Sequence, residues 1–313
     1  MKYIANLNIF LLEDLGHGHD NIEYFQIGPY AKKFITEGGF EKYFENLLNE
    51  QEISKKKDTI SVTHESSQCD YVIITALEED EMERIIPVFT KVGNIKNDRH
   101  LIEYGYLTSN KDKRIAWSSQ QATGMVDASI LAAEMIIRFN PKFLIMPGVL
   151  GGKPEDTNIG DIVVSTKVFT VDKGKFNEND FKREIEADNT NSSYITAFHR
   201  NKNKIINYIK DSDPTRKNSI NIHFEPVACV RQVINKKSFF IENIVTIERK
   251  AIALEMESYG IARACELIND GKTIPLIIKS VMDNTQNKND GAKTYAAWTS
   301  AMFVIFILEN DLI

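Results

Sequence analysis

Apolar and polar positions follow two rhythms along this chain. Short, nearly continuous apolar runs occur at Tyr71–Leu77, Phe143–Met146, Asp161–Ser165 and Ile274–Met282, and between them apolar residues recur three and four positions apart. The first kind of run predicts strands covered on both faces, and the second predicts amphipathic helices. Helices are expected over Glu78–Phe89, where Met82, Ile85, Ile86 and Phe89 fall at helical spacing, and over Ala128–Phe139, Tyr194–Ile209, Lys237–Glu248 and about Ala292–Leu308. Further strands are expected at Ile102–Thr108, Arg114–Ser119 and Glu225–Ile234. Strands alternating with helices predict a three-layer α/β sandwich with a mixed, mainly parallel central sheet.

The stretch 251–284 concentrates the chemistry. Ala251–Leu254 is short and apolar, and Ile261, Ala264, Cys265 and Ile268 then form a helical stripe that Gly271 ends before the strand Ile274–Met282. Read as one right-handed βαβ unit, its two strands run parallel and deliver Glu255, Met256, Glu257 and Asp283 to the carboxyl edge of the sheet, where open α/β sheets bind ligands. Residues two apart do not face one ligand in helical geometry, so Glu255 is secondary to Glu257.

Upstream, residues 1–50 form a small N-terminal module with a strand at Ile22–Ile27 and an aromatic-rich stretch at Tyr30–Asn49, and the polar residues 51–68 form a linker. The main domain covers 69–313. A net charge of −6 argues against a general nucleic-acid binder, which needs a basic face to displace counterions. Cys69, Cys229 and Cys265 are far apart and lack metal-ligand spacing, as expected of reduced thiols in a cytoplasmic protein. No run approaches the roughly 20 apolar residues of a membrane span, and the first residues lack a signal-peptide core. Neither metal nor cofactor is expected.

Six segments in fixed order resemble the nucleoside phosphorylase/nucleosidase superfamily: Ile-Thr-Ala-Leu-Glu-Glu-Asp-Glu-Met, Gln-Ala-Thr-Gly-Met-Val-Asp-Ala, Met-Pro-Gly-Val-Leu-Gly-Gly, Ile-Gly-Asp-Ile-Val-Val-Ser, Leu-Glu-Met-Glu-Ser and Lys-Ser-Val-Met-Asp. The resemblance is nearer to its hydrolytic, methylthioadenosine/S-adenosylhomocysteine nucleosidase-like branch. The run Asn-Lys-Asn-Asp-Gly-Ala-Lys-Thr-Tyr-Ala-Ala-Trp-Thr-Ser-Ala further resembles nucleosidase domains of immune effector proteins. There an adenine nucleotide such as ATP can be the substrate.

The resemblance implies a nucleoside phosphorylase-like fold and hydrolysis of a purine, adenine above all, from its sugar. Asp283 would donate to purine N7, Glu257 would hold the ribose hydroxyls with Met256 on the sugar face, and Asp80 would activate water, with Glu79 or Glu81 as alternatives. The hydrolytic branch carries Glu where this chain has Asp80. Thr123, Gly124 and Gly148 would line the sugar and nucleophile pocket. Val233 and Ile234 lie at the purine, with Val233 in place of the usual stacking aromatic. A nucleotide would want cations at its 5′ end, for which Arg99, Lys173, Lys175, Arg231 and Lys293 are candidates. The partners implied are a small purine nucleoside or nucleotide, a second copy in a dimer or hexamer, and a sensor protein acting through the N-terminal module; neither nucleic acid nor membrane is expected. Two other readings stay open: a phosphate-dependent phosphorylase, and a nucleoside-binding sensor without catalysis.

Overall fold

The computed structural model describes residues 12–17, 23–27, 68–96, 99–178, 181–190, 192–213, 219–285 and 290–313. The chain divides into two units, Met1–Ser66 and Ser67–Ile313. In the first, β1 (Leu12–His17) and β2 (Glu23–Ile27) pair antiparallel. The stretch Tyr30–Asn49 and nearly all of the expected linker lie outside the described residues.

In the second unit the strands β3 (Tyr71–Thr75), β4 (Phe89–Lys96), β5 (Leu101–Leu107), β6 (Asn110–Ser119), β7 (Phe143–Gly152), β8 (Ile162–Thr170), β11 (Ala187–Asn189), β12 (Ile222–Cys229), β13 (Ala253–Glu255) and β14 (Ile274–Asp283) form one mixed sheet. A separate hairpin, β9 (Gly174–Phe176) with β10 (Phe181–Arg183), follows β8. Helices α1 (Met125–Phe139), α2 (Ser192–Ser212), α4 (Ser258–Leu267) and α5 (Asp290–Glu309) flank the sheet, and α3 begins at Lys237–Phe239 and continues as a π-helix over Phe240–Val245.

The uniformly apolar strands feed two cores. Along β3, Val72 and Ile74 join Leu131, Met135, Ile261 and Cys265 of α1 and α4, whereas Ile73 joins Phe198 and Ile205 of α2 and Phe303 and Ile307 of α5. Successive side chains point to opposite faces, so a strand between two helical layers has no polar side. Helix α5 has the length and apolar composition of a membrane span, yet here most of it is buried inside the protein.

Half of the sheet closes on itself. β8 pairs with β12, β12 with β13, β13 with β7, β7 with β14, and β14 again with β8. Each strand of this ring contributes one side chain to a dry plug, namely Leu150, Val163, Val227, Ala253 and Val281.

The ring corrects the expected βαβ unit. β14 runs parallel to β7 but β13 runs antiparallel to it, so the two strands flanking α4 are not parallel neighbours. Their functional ends still meet, because Gly151 of β7 is the register partner of both Leu254 and Asp283. The expected helix Glu78–Phe89 is also absent. Two 3-10 turns, Met82–Arg84 and Ile86–Val88, stand in its place and lead directly into β4, a strand whose polar alternation hid it. Pro87 offers no N–H to bond the carbonyl four residues back, so an α-helix could not run unbroken to Phe89.

Candidate active site

The closed end of the ring borders a cleft of about 740 Å³ of empty space, part of it open to solvent. It is walled by Ala76, Leu77 and Glu81 after β3, Thr123 before α1, Val149–Gly151 of β7, Gln232–Ile234 after β12, Leu254–Glu257 at the β13–α4 junction, Met282 and Asp283 at the end of β14, and Lys293 of α5. Its size and mixed lining suit a small ligand.

Asp283 is 5% exposed, and its Oδ1 accepts the Thr285 amide at 2.8 Å. Glu257 is equally buried and ends the extended chain just before α4. Its Oε1 accepts the Gly124 amide at 3.0 Å, and its Oε2 accepts from the Lys279 ammonium at 2.8 Å. Gly124 is the N-cap of α1 at φ 118, a left-handed conformation that lets its N–H turn toward the cleft.

Glu255, expected to be secondary, also reaches the cleft wall and shares Lys279 with Glu257 at 2.8 Å. The two-residue offset does not separate them because Glu257, at φ −121 and ψ −35, belongs to neither strand nor helix. Burial alone raises both carboxyls. For Glu255 the Lys279 ammonium and the Ser258 donors overcome it and hold the group below its usual range, while burial prevails at Glu257 and raises it.

At the position expected to activate water, the structure brings Glu81 rather than Asp80 to the cleft wall. Asp80 is absent from the cleft wall and pairs instead with Lys293. Glu81 is 3% exposed; its Oε2 accepts the amides of Ala76 at 2.9 Å and Leu77 at 3.1 Å, and its Oε1 accepts that of Val149 at 3.0 Å. The physical reason lies in the turn, where Met82 N donates to Leu77 O and Glu83 N to Glu78 O. These five-residue bonds fit one more residue into the turn than an α-helix would, so the acid one step later faces inward. Burial pushes the Glu81 carboxyl up to about 7, against the pull of Lys279 and the amides. Gly148, at φ 151, makes room for it: a Cβ there would lie 2.6 Å from Glu81 Oε1.

Of the other expected residues, Thr123, Met256, Val233 and Ile234 line the cleft, Val233 being 65% exposed. Among the five candidate cations Lys293 alone does so. Lys173 is paired with Glu186 and Arg231 with Asp172, and neither they nor Arg99 and Lys175 belong to the wall. Lys279, buried and paired with Glu255 and Glu257 of the cleft wall, is not among the residues expected from the sequence. Its signal was a charge in the middle of the apolar run Ile274–Met282, which a buried strand tolerates only with a partner. Among the described residues no group of acids, histidines and cysteines has metal-binding geometry.

A family model described as the phosphorylase superfamily matches residues 70–302. An uncharacterised protein of Sinorhizobium fredii is 29% identical over 196 residues, which cover 60% of this chain and 47% of that one, so this chain spans about half of that relative. A 5′-methylthioadenosine/S-adenosylhomocysteine nucleosidase of Maridesulfovibrio salexigens is 29% identical over 180 residues, covering 54% of this chain and 68% of its own. Among solved structures, the nucleosidase of the same type from Colwellia psychrerythraea, in complex with adenine, superimposes with a TM-score of 0.61 at 20% identity, over 77% of this chain and 95% of that one. With the family model spanning most of the second unit, and five of the six sequence segments contributing to the wall of one cleft, the chain belongs to the phosphorylase superfamily.

Proposed function

We propose that residues 69–313 hydrolyse the N-glycosidic bond of a purine nucleoside or nucleotide, with adenine as the base. The observation that carries this reading is Glu81, a buried carboxyl poised near neutral pH on the same cleft wall as Asp283 and Glu257. Cleavage through an oxocarbenium-like sugar needs a base for the attacking water, an acid or donor at the leaving purine, and negative charge near the sugar. Glu81 accepts the proton from water, Asp283 donates at purine N7, and Glu257 accepts the ribose hydroxyls while Met256 packs on the ring. Water is favoured over phosphate as nucleophile because the described cleft wall carries a single cation, Lys293, against four carboxyl groups, those of Glu81, Glu255, Glu257 and Asp283. Glu81, Glu257 and Asp283 would also repel an inorganic phosphate dianion.

The finer reading is a nucleotide such as ATP, cleaved in the cytoplasm by a homo-oligomeric defence effector, with Lys293 at the 5′-phosphate and the N-terminal module, residues 1–50, as regulator. It rests on the resemblance of the 287–301 run and on the place of Lys293 in the cleft wall. The test is to incubate the protein with ATP, AMP, adenosine and methylthioadenosine, with and without phosphate, and to follow free adenine. Release without phosphate, abolished in Asp283→Asn, is the expected result. Release only with phosphate would make the protein a phosphorylase, and no release from any substrate would leave it a binding module.

A further inference from the structure

Lys279 lies on β14 four residues before Asp283, and its side chain is 1% exposed. A charge in that position must be held by other charges, since a buried ammonium without partners is strongly unfavourable. It faces Glu255 and Glu257 directly and Glu81 at longer range, and the Cys229 thiol stands beside the two glutamates.

Glu255 has no capacity left for a ligand. It accepts the amide of Glu257 at 2.9 Å, the amide of Ser258 at 3.0 and 3.1 Å, the Ser258 hydroxyl at 2.5 Å and the Lys279 ammonium. Glu255 therefore serves as an anchor at the start of α4. Glu257 is held differently, by Lys279 on one oxygen and the Gly124 amide on the other. Two donors from two separate elements fix the plane of the carboxylate, and each oxygen keeps a second acceptor site.

We propose that Lys279, anchored by Glu255, is a positioning residue that fixes the plane and charge of Glu257, the acceptor assigned above to the ribose hydroxyls. The proposal rests on the function assigned above to the cleft. Lys279 also offsets the burial that raises the Glu257 carboxyl, so without it Glu257 takes up a proton at higher pH and loses acceptor strength.

The test compares adenosine with 2′,3′-dideoxyadenosine in the full-length protein. In Lys279→Met, kcat/KM for adenosine should fall about 100-fold, the scale of losing one preorganised electrostatic contact. Cleavage of the dideoxy substrate, which has no diol to hold, should change by no more than about threefold. Lys279→Arg keeps the charge and should recover at least about tenfold. Glu255→Gln retains Lys279 and should show the same selectivity at smaller size, about tenfold, should Lys279→Met fail to fold. Equal losses on both substrates would overturn the proposal, because a general structural role does not read the diol. A second readout needs no turnover: carbon-13 titration of the glutamate carboxyls, with Glu257 assigned from Glu257→Gln. Its midpoint should rise by at least about one pH unit in Lys279→Met. An unchanged midpoint overturns the positioning role, whereas absence of cleavage by the wild type overturns only the function proposed for the cleft.

Discussion

Replacing Glu81 by Gln separates the catalytic from the structural consequences of burying that carboxyl. In the folded protein the group titrates at about 7 instead of 4.5, chiefly because burial disfavours its charge. A carboxyl raised on folding contributes stability that is fully present below its unfolded value and is lost as pH climbs through the folded one. At 1.36 kcal/mol per unit, the wild type should lose about 2–3 kcal/mol from this residue between pH 5 and pH 9. Gln cannot ionise, so that slope should vanish. Its geometry has a cost that does not depend on pH: Glu81 accepts three backbone amides on two oxygens, and the Gln amide group must turn a donor toward one of those N–H groups. A buried donor left without an acceptor costs about 1–3 kcal/mol. Glu81→Gln should therefore be the less stable protein at pH 5 and should draw level with or pass the wild type at pH 9. Urea unfolding at both pH values measures the difference, and base release at pH 7 should fall about 10²–10⁴-fold in the same variant. Parallel stability profiles for the two proteins would refute the buried, near-neutral Glu81, whatever happened to activity.

Three other outcomes follow from the geometry. Gly148→Ala places a methyl 2.6 Å from Glu81 Oε1 at a left-handed backbone position, so thermal unfolding should show a loss of about 1–3 kcal/mol together with reduced base release. Lys293→Ala should lower kcat/KM for AMP or ATP about tenfold and leave adenosine within about twofold, since a single half-buried ion pair such as that with Asp80, still reached by solvent, adds little to stability; equal effects on all three substrates would remove Lys293 from the 5′ end. A protein starting at Ser67 should keep its fold by circular dichroism and release base without the regulation assigned to the N-terminal module; an unregulated full-length protein of the same activity would show that assignment to be wrong.

The sequence by itself determined the layers and the order of the site. Tyr71–Ile74 and Ile274–Ile278 carry apolar residues at every step, as a strand covered on both faces requires, and the alternation of such runs with amphipathic stretches points to an α/β arrangement. That Glu257 and Asp283 would lie on one cleft wall was legible because each follows closely on an apolar run that ends at a sheet edge. Three features needed the tertiary structure, each for a non-local reason. The ring of β7, β8, β12, β13 and β14 depends on pairings between residues far apart in sequence, which no local pattern encodes. Glu81 rather than Asp80 faces the cleft because two five-residue backbone bonds shift the inward position by one, a change smaller than any periodicity resolves. Lys279 acquired its role from Glu255 and Glu257 across the sheet, for the charge of a buried lysine has meaning only through the groups that fold around it.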